Sequence, residues 1–240
     1  MQQFANPARF LKLANAVLPW IWALTVIGFA VGLYMAFFTA PADYQQGETV
    51  RIMFVHVPSA YLALMIYTVM AVASGIAIVY RHPLADAAAK SAAPIGACFC
   101  FLALATGSLW GKPMWGAWWV WDARLTSMFV LMLLYLGYIA IWQAIEEPQR
   151  AAMIARVVAL VGFVNIPIVK FSVDWWNTLH QPAGVFKMAG STVDPSIRWP
   201  LLVMIAAYTL LFLALHLTAI RAEIAARRLK QIQLAEIGGR

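Results

Sequence analysis

The chain has 240 residues, of which 63% are hydrophobic and only 11% charged, and its mean hydropathy is +0.76. A soluble domain of this size cannot keep so much apolar surface out of water, so the composition excludes a soluble globular protein and specifies an integral membrane one. The net charge of +7 then reflects topology and contact with anionic lipid rather than nucleic-acid binding.

A bilayer core needs about 20 apolar residues per helix, and the sequence holds six such stretches, at 20–38, 57–80, 92–109, 125–144, 157–171 and 199–220. The first run is long enough to span and lacks a small-residue cleavage pattern, so it is expected to stay as an anchor. The fifth is the weakest: it is short, contains Asn165 and Pro167, and has Arg156 and Lys170 near its ends. Those two cations can snorkel to the two interfaces. Internal repeats and low-complexity linkers are absent from the sequence, so 1–240 reads as one membrane domain. Its basic tail, 221–240, reads mostly as a helix continuing the sixth span.

Placing both termini on the inner side puts Arg9, Lys12, Arg81, Lys90, Arg150, Arg156, Arg221, Arg227, Arg228, Lys230 and Arg240 inside, 11 of the 17 basic residues. Arg51, Lys112, Arg124, Lys170, Lys187 and Arg198 fall outside. The acids split evenly, so the asymmetry lies in Lys and Arg, as the positive-inside rule requires. The fold class is therefore an all-α integral membrane protein with six transmembrane helices, both termini cytoplasmic, and a Trp-rich outer loop between helices three and four.

Cys98 and Cys100 stand two apart within the third span, so a helix points them to opposite sides and they cannot bridge locally. The sequence has no Cys-x-x-Cys, which argues against a thiol oxidoreductase, and no Cys-x-x-Cys-His, the signature of covalently attached c-type haem. Nor has it a Gly-Lys-Ser/Thr phosphate loop, so any ATP-driven step belongs to a partner.

The densest feature is the run from Trp110 to Arg124, which holds five of the 11 tryptophans in 15 residues: Trp110, Trp115, Trp118, Trp119 and Trp121. An aromatic belt anchoring two helices accounts for scattered indoles. It does not require five in one loop, with a Gly-Lys-Pro turn before them and Asp122 and Arg124 behind. If the loop coils as a helix, Trp115, Trp118, Trp119 and Asp122 form one stripe at i, i+3, i+4 and i+7.

Only four histidines are present, and the topology sorts them. His82 and His216 fall on the inner side, where a structural role is the ordinary one. His56, at the outer end of the second span, and His180, between the fifth and sixth spans, share the outer side with the Trp loop. Two imidazoles and a flat aromatic platform suit haem, whose iron takes one axial nitrogen on each face. Arg124 and Lys112 flank the indoles and offer cations to haem propionates, while snorkelling or an Arg124–Asp122 ion pair remains the plainer alternative. Asp122 has three roles open to it: fixing Arg124, bonding an indole N–H, or orienting a ligand histidine.

With these residues in view, the chain resembles the haem exporter protein C (CcmC) family of bacterial cytochrome c maturation. The resemblance rests on Trp110-Gly111-Lys112-Pro113-Met114-Trp115-Gly116 followed by Trp118-Trp119-Val120-Trp121-Asp122-Ala123-Arg124, which looks like the tryptophan-rich WWD signature. Further support comes from the loop 40–47, from His56-Val57-Pro58-Ser59-Ala60, and from Trp175-Trp176-Asn177-Thr178-Leu179-His180-Gln181. It implies a non-enzymatic, multi-pass inner-membrane protein that holds haem b at the periplasmic face. His56 and His180 would be the axial ligands of the iron, with Trp110, Trp115, Trp118, Trp119, Trp121, Asp122 and Arg124 around the porphyrin.

The resemblance also implies partners: a haem chaperone (CcmE), ABC transporter subunits (CcmA and CcmB), a small membrane subunit (CcmD), and membrane lipid. Three other functions stay open at this point, one of them a scaffold that only assembles the transporter complex, for which the tryptophans and both histidines would be replaceable by Ala. An electron-transfer cytochrome b subunit predicts histidine pairs within the spans, and a c-type haem ligase predicts room for an apocytochrome.

Overall fold

The computed structural model describes residues 6–180 and 193–238. Gln181, Lys187 and Arg240 lie outside the described residues. Among the described residues there are seven α-helices: α1 (Pro7–Tyr34), α2 (Met53–Tyr80), α3 (Pro83–Trp115), α4 (Ala123–Ala144), α5 (Pro148–Gly162), α6 (Asn165–Trp175) and α7 (Pro195–Gly238). With α5 and α6 taken together, six helical stretches are long and apolar enough to cross a membrane, as the sequence requires.

The helices begin and end where local chemistry dictates. Asn6 caps α1, its Oδ1 accepting the Ala8 N–H at 2.9 Å, and Pro7 takes the first helical position, where no N–H is needed. The first helix therefore starts well before residue 20, because the cap lies ahead of a polar turn carrying Arg9 and Lys12. Its far end widens into a π turn (Met35–Thr39), and Arg51 reaches back to the carbonyls of Ala36 and Ala40 there. Orphan carbonyls at a helix end are thereby satisfied.

The third helix overruns its predicted end by six residues. It stops at Gly116, whose φ of +75° is the left-handed C-cap conformation. Residues 117–122 are consequently not helical, and the predicted i, i+3, i+4, i+7 stripe of Trp115, Trp118, Trp119 and Asp122 does not form. At the other end of the chain, α7 runs 44 residues, about twice the length a bilayer core requires. Its basic end continues the sixth span as a helix.

The fifth span is longer than predicted, running from Pro148 to Trp175 with a break at Phe163–Val164. Asn165 sits at that break, buried, and its Nδ2 donates to the Ser127 carbonyl of α4 at 2.9 Å. Pro167 occupies the first turn of α6, where helix N–H groups have no partner anyway.

The core lies between α2, α3, α4, α5 and α7. Tyr67 and Tyr135 are fully buried and meet edge to face, with ring centroids 5.1 Å apart. The Tyr135 hydroxyl donates to the Ala63 carbonyl at 2.7 Å, and that of Tyr67 to the Val158 carbonyl at 3.3 Å. Glycine makes room for both rings: a Cβ on Gly96 would lie 2.4 Å from the Tyr135 ring, and one on Gly162 2.0 Å from the Tyr67 hydroxyl. Cys100 donates to the Met128 carbonyl at 3.6 Å, while Cys98 is exposed, so the two cysteines point apart as expected.

At the end of the bundle away from His56, charges join the helices. Arg156 of α5 grips both oxygens of Asp86 of α3, and Glu223 of α7 receives Lys90 at 2.9 Å and Arg227 at 2.7 Å. The Lys90 ammonium also lies 4.9 Å from the Trp142 ring centroid.

This packing sets two substitutions apart. Gly96→Ala drives a methyl into the Tyr135 ring and is expected to destabilise by about 1–3 kcal/mol, as overpacking does. Tyr135→Phe, which removes only a hydrogen bond, is expected to cost about 0.5–1.5 kcal/mol. Unfolding of the purified protein in mild detergent, followed by tryptophan fluorescence, should rank Gly96→Ala as the less stable of the two.

Candidate functional site

His56 is in the first turn of α2 and faces α3. Its Nδ1 lies 3.1 Å from the Thr106 hydroxyl, and a Cβ on Gly107 would come within 3.0 Å of its Cε1. His180 arrives from the other direction, on the segment that leaves α6 when Trp176 turns to extended geometry (φ −135°, ψ 152°). Thr178 shapes that segment: its hydroxyl accepts the His180 N–H at 3.1 Å and donates to the His180 carbonyl at 3.3 Å. The fold brings the two imidazoles together, with centroids 6.3 Å apart and planes inclined at 34°.

The other two histidines are placed differently. His216 is buried in α7, where Nε2 lies 2.9 Å from the Ala88 carbonyl and the ring stacks on Phe212. A carbonyl only accepts, so that nitrogen carries the proton. His82 stands at the N-cap of α3. Among the described residues, neither ring is paired with another imidazole.

The Trp-rich loop folds back onto α3, where Ser108 donates to the Trp118 carbonyl at 2.7 Å and Lys112 to the Gly116 carbonyl at 3.1 Å. Its rings form two groups. Trp110 and Trp115 meet edge to face at 5.1 Å, and Trp119 packs against Trp121 at 5.4 Å and Phe129 at 6.2 Å. Trp118 and Trp121 are 55% and 72% exposed, as interfacial indoles are. Trp119 differs: its indole N–H is buried and has no hydrogen-bond partner among the described residues.

A second loop braces the first. Asp43 accepts the N–H groups of Gln45 and Gln46 at 2.9 and 2.8 Å, and the turn closes at Gly47, whose φ of +55° favours glycine. That turn aims the Gln46 side chain at Trp110, whose indole N–H it accepts at 2.9 Å.

Asp122 and Arg124 separate into distinct tasks. Asp122 is the N-cap of α4, its Oδ1 accepting the Leu125 N–H at 2.8 Å, which is a role none of the three sequence alternatives named. Its Oδ2 is buried without a hydrogen-bond partner. Arg124 reaches across to α6 rather than hydrogen-bonding Asp122: Nε donates to the Ser172 hydroxyl at 2.7 Å and Nη2 to the Lys170 carbonyl at 3.4 Å. This clamp ties α4, at the end of the Trp loop, to the helix that delivers His180.

The sequence reading did not single out Thr106, Gly107, Gln46 or Ser172. A signal existed for the first two, since Thr106-Gly107-Ser108 is a small polar break in the otherwise apolar end of the third span. Gln46 lies in the loop 40–47 that carries part of the family resemblance, but its bond to Trp110 is visible only in the fold, as is that of Ser172 to Arg124.

Comparison with known proteins shows where this arrangement belongs. Residues 1–235 match the family profile described as Heme exporter protein C. The chain belongs to that family. It is 60% identical over 232 residues to the Heme exporter protein C of Bradyrhizobium diazoefficiens, covering 97% of this chain and 88% of that relative. Identity to the protein of the same name from Escherichia coli K12 is 47% over 221 residues, 92% of this chain and 89% of the relative. The Paracoccus denitrificans protein is 44% identical over 235 residues, 98% and 97% of the two chains. In this member of the heme exporter protein C family, the family resemblance read from the Trp-rich run therefore extends over almost the whole chain.

The Asp122 cap makes a local prediction. Asp122→Ala should raise hydrogen exchange at the first-turn amides of α4, Leu125 foremost, and cost about 1 kcal/mol of local stability. Asp122→Asn keeps the acceptor and should leave exchange close to wild type. Mass-spectrometric exchange on the reconstituted protein reads both.

Proposed function

We propose that the chain binds haem b between His56 and His180 at the periplasmic face of a bacterial inner membrane and presents it to a haem chaperone for cytochrome c maturation. The observation that carries this reading is the 6.3 Å separation of the two rings. A metal–imidazole bond is about 2 Å and the ring centre lies roughly 1 Å behind the nitrogen, so two axial imidazoles across one iron have centroids about 6 Å apart. The observed spacing is the one that an iron between the two rings would need.

The names of the relatives support haem as the cargo, since they are called heme exporters. In this reading His56 and His180 supply one nitrogen to each face of the iron. Trp110, Trp115, Trp118, Trp119 and Trp121 supply an apolar rim, and the unpartnered Trp119 N–H supplies a donor for a propionate. Arg124 and Lys112 bring positive charge to the same end, and Asp122 sets the start of α4 beside them.

His56 lies within a helix that packs on α3, whereas His180 lies on a non-helical segment where Thr178 meets its backbone. The recipient of the haem would be a chaperone such as CcmE. CcmA and CcmB, with CcmD, complete the ABC-type complex, whose ATP step lies outside this chain. Both termini face the cytoplasm in this arrangement, so the charged end of the bundle and the long α7 are available to those subunits.

The test is the visible spectrum of the purified protein, oxidised and reduced, with His56→Ala and His180→Ala alongside. Wild type should show six-coordinate low-spin haem, and each substitution should abolish that signature. Variants that retain the wild-type spectrum, or a wild type that takes up no haem when supplied with it, would overturn the assignment.

A further inference from the structure

We infer that Thr106 fixes the ring tautomer of His56, placing the proton on Nδ1 and leaving Nε2 as the nitrogen with a free lone pair. The purpose of this device rests on the haem reading above, but the tautomer itself is a property of the chain alone.

The argument is an accounting of protons. The Thr106 hydroxyl has one proton and two lone pairs. It lies 2.6 Å from the Leu102 carbonyl and 3.4 Å from that of Ala103, and both of those atoms can only accept. The hydroxyl proton is therefore committed to the preceding turn of α3, as is common for threonine in a helix. With that proton on the nearer carbonyl, what faces His56 at 3.1 Å is a lone pair, to which a protonated Nδ1 donates. In a neutral imidazole one nitrogen is a donor and the other an acceptor, so Nε2 is left unprotonated.

Gly107 holds the ring to this partner. A side chain there would meet Cε1 at 3.0 Å and Nδ1 at 3.5 Å, so the absence of a Cβ lets the Cε1–Nδ1 edge of the imidazole approach α3 beside the threonine. Thr25, Thr68, Thr209 and Thr218 make the same bond to a carbonyl four residues back. Thr106 differs from them in also meeting an imidazole. Its hydroxyl therefore does more than satisfy itself within a helix.

For a metal ligand this matters twice. The ring presents its ligating nitrogen without first shifting a proton, and the Nδ1–H···O bond raises the basicity of Nε2. Thr106 is thus a positioning residue that acts through His56, on a helix that contributes no ligand of its own.

The experiment uses full-length protein in lipid nanodiscs, with nitrogen-15 in histidine, and compares wild type, Thr106→Val, Thr106→Ser and the control Thr68→Val. His56→Gln assigns the His56 signals in the nitrogen spectrum. In the haem-free protein, His56 should give the pattern of a protonated Nδ1 and an unprotonated Nε2 in wild type, Thr106→Ser and Thr68→Val. In Thr106→Val it should move to a mixture containing protonated Nε2. Haem titration should show affinity reduced roughly ten- to a hundred-fold in Thr106→Val and restored in Thr106→Ser, with the midpoint potential of Thr106→Val raised.

A protonated Nε2 on His56 in wild type overturns the inference, and so does a folded Thr106→Val with an unchanged tautomer. Should Thr106→Val not fold, the wild-type spectrum decides alone. A wild type with the expected tautomer that takes up no haem overturns the haem reading while upholding the role of Thr106.

Discussion

Everything in this bundle depends on the junction of Tyr135 with Gly96 and the Ala63 carbonyl. A full-length phenol from α4 passes through a gap in α3 that only a glycine provides and ends on the backbone of α2. Within a bilayer there is no hydrophobic drive to press helices together, so close packing and a few hydrogen bonds must fix their register. This contact fixes three helices at once, and Tyr67 with Gly162 extends the same device to α5. The site at the far end inherits its geometry from these contacts. A slip of α2 against α3 by one residue would take His56 away from Thr106 and Gly107.

The site itself is assembled from segments with different degrees of constraint. His56 is held by a helix packed on a helix. His180 is delivered by α6, which Arg124 clamps to the start of α4 and which then unwinds before reaching the histidine. Ser108 holds the Trp loop to α3, and Gln46 holds the Trp110 indole at the end of that helix. A charged cluster joins α3, α5 and α7 at the opposite end of the bundle.

Much of this was legible in the sequence for physical reasons. Spans are long and apolar because a bilayer demands it, and histidines are rare enough in this chain that topology alone could nominate His56 and His180. The Trp-rich run was visible from composition, but its shape was not. A helical stripe through Trp115, Trp118, Trp119 and Asp122 is sound for a continuing helix, yet Gly116 ends that helix, and the local signal of one glycine in a tryptophan-dense stretch does not announce a left-handed cap. Likewise Asp122 and Arg124 read as a pair because they are two apart. Their partners turn out to be a backbone N–H three residues on and a serine in another helix.

The sequence by itself determined that the chain lives in a membrane, how many times its helices can cross, and which residue types gather toward one end, because hydropathy and charge asymmetry act through solvent and need no knowledge of neighbours. It also carried the family resemblance, since a run such as Trp118-Trp119-Val120-Trp121-Asp122 is distinctive in one dimension. Only the tertiary structure decided that two imidazoles from distant segments stand 6.3 Å apart, that a threonine hydroxyl with its proton already spent faces one of them, and that a missing Cβ lets it do so. Those relations depend on distances of a few ångströms between helices, and such distances are set by packing, not by the order of residues along the chain.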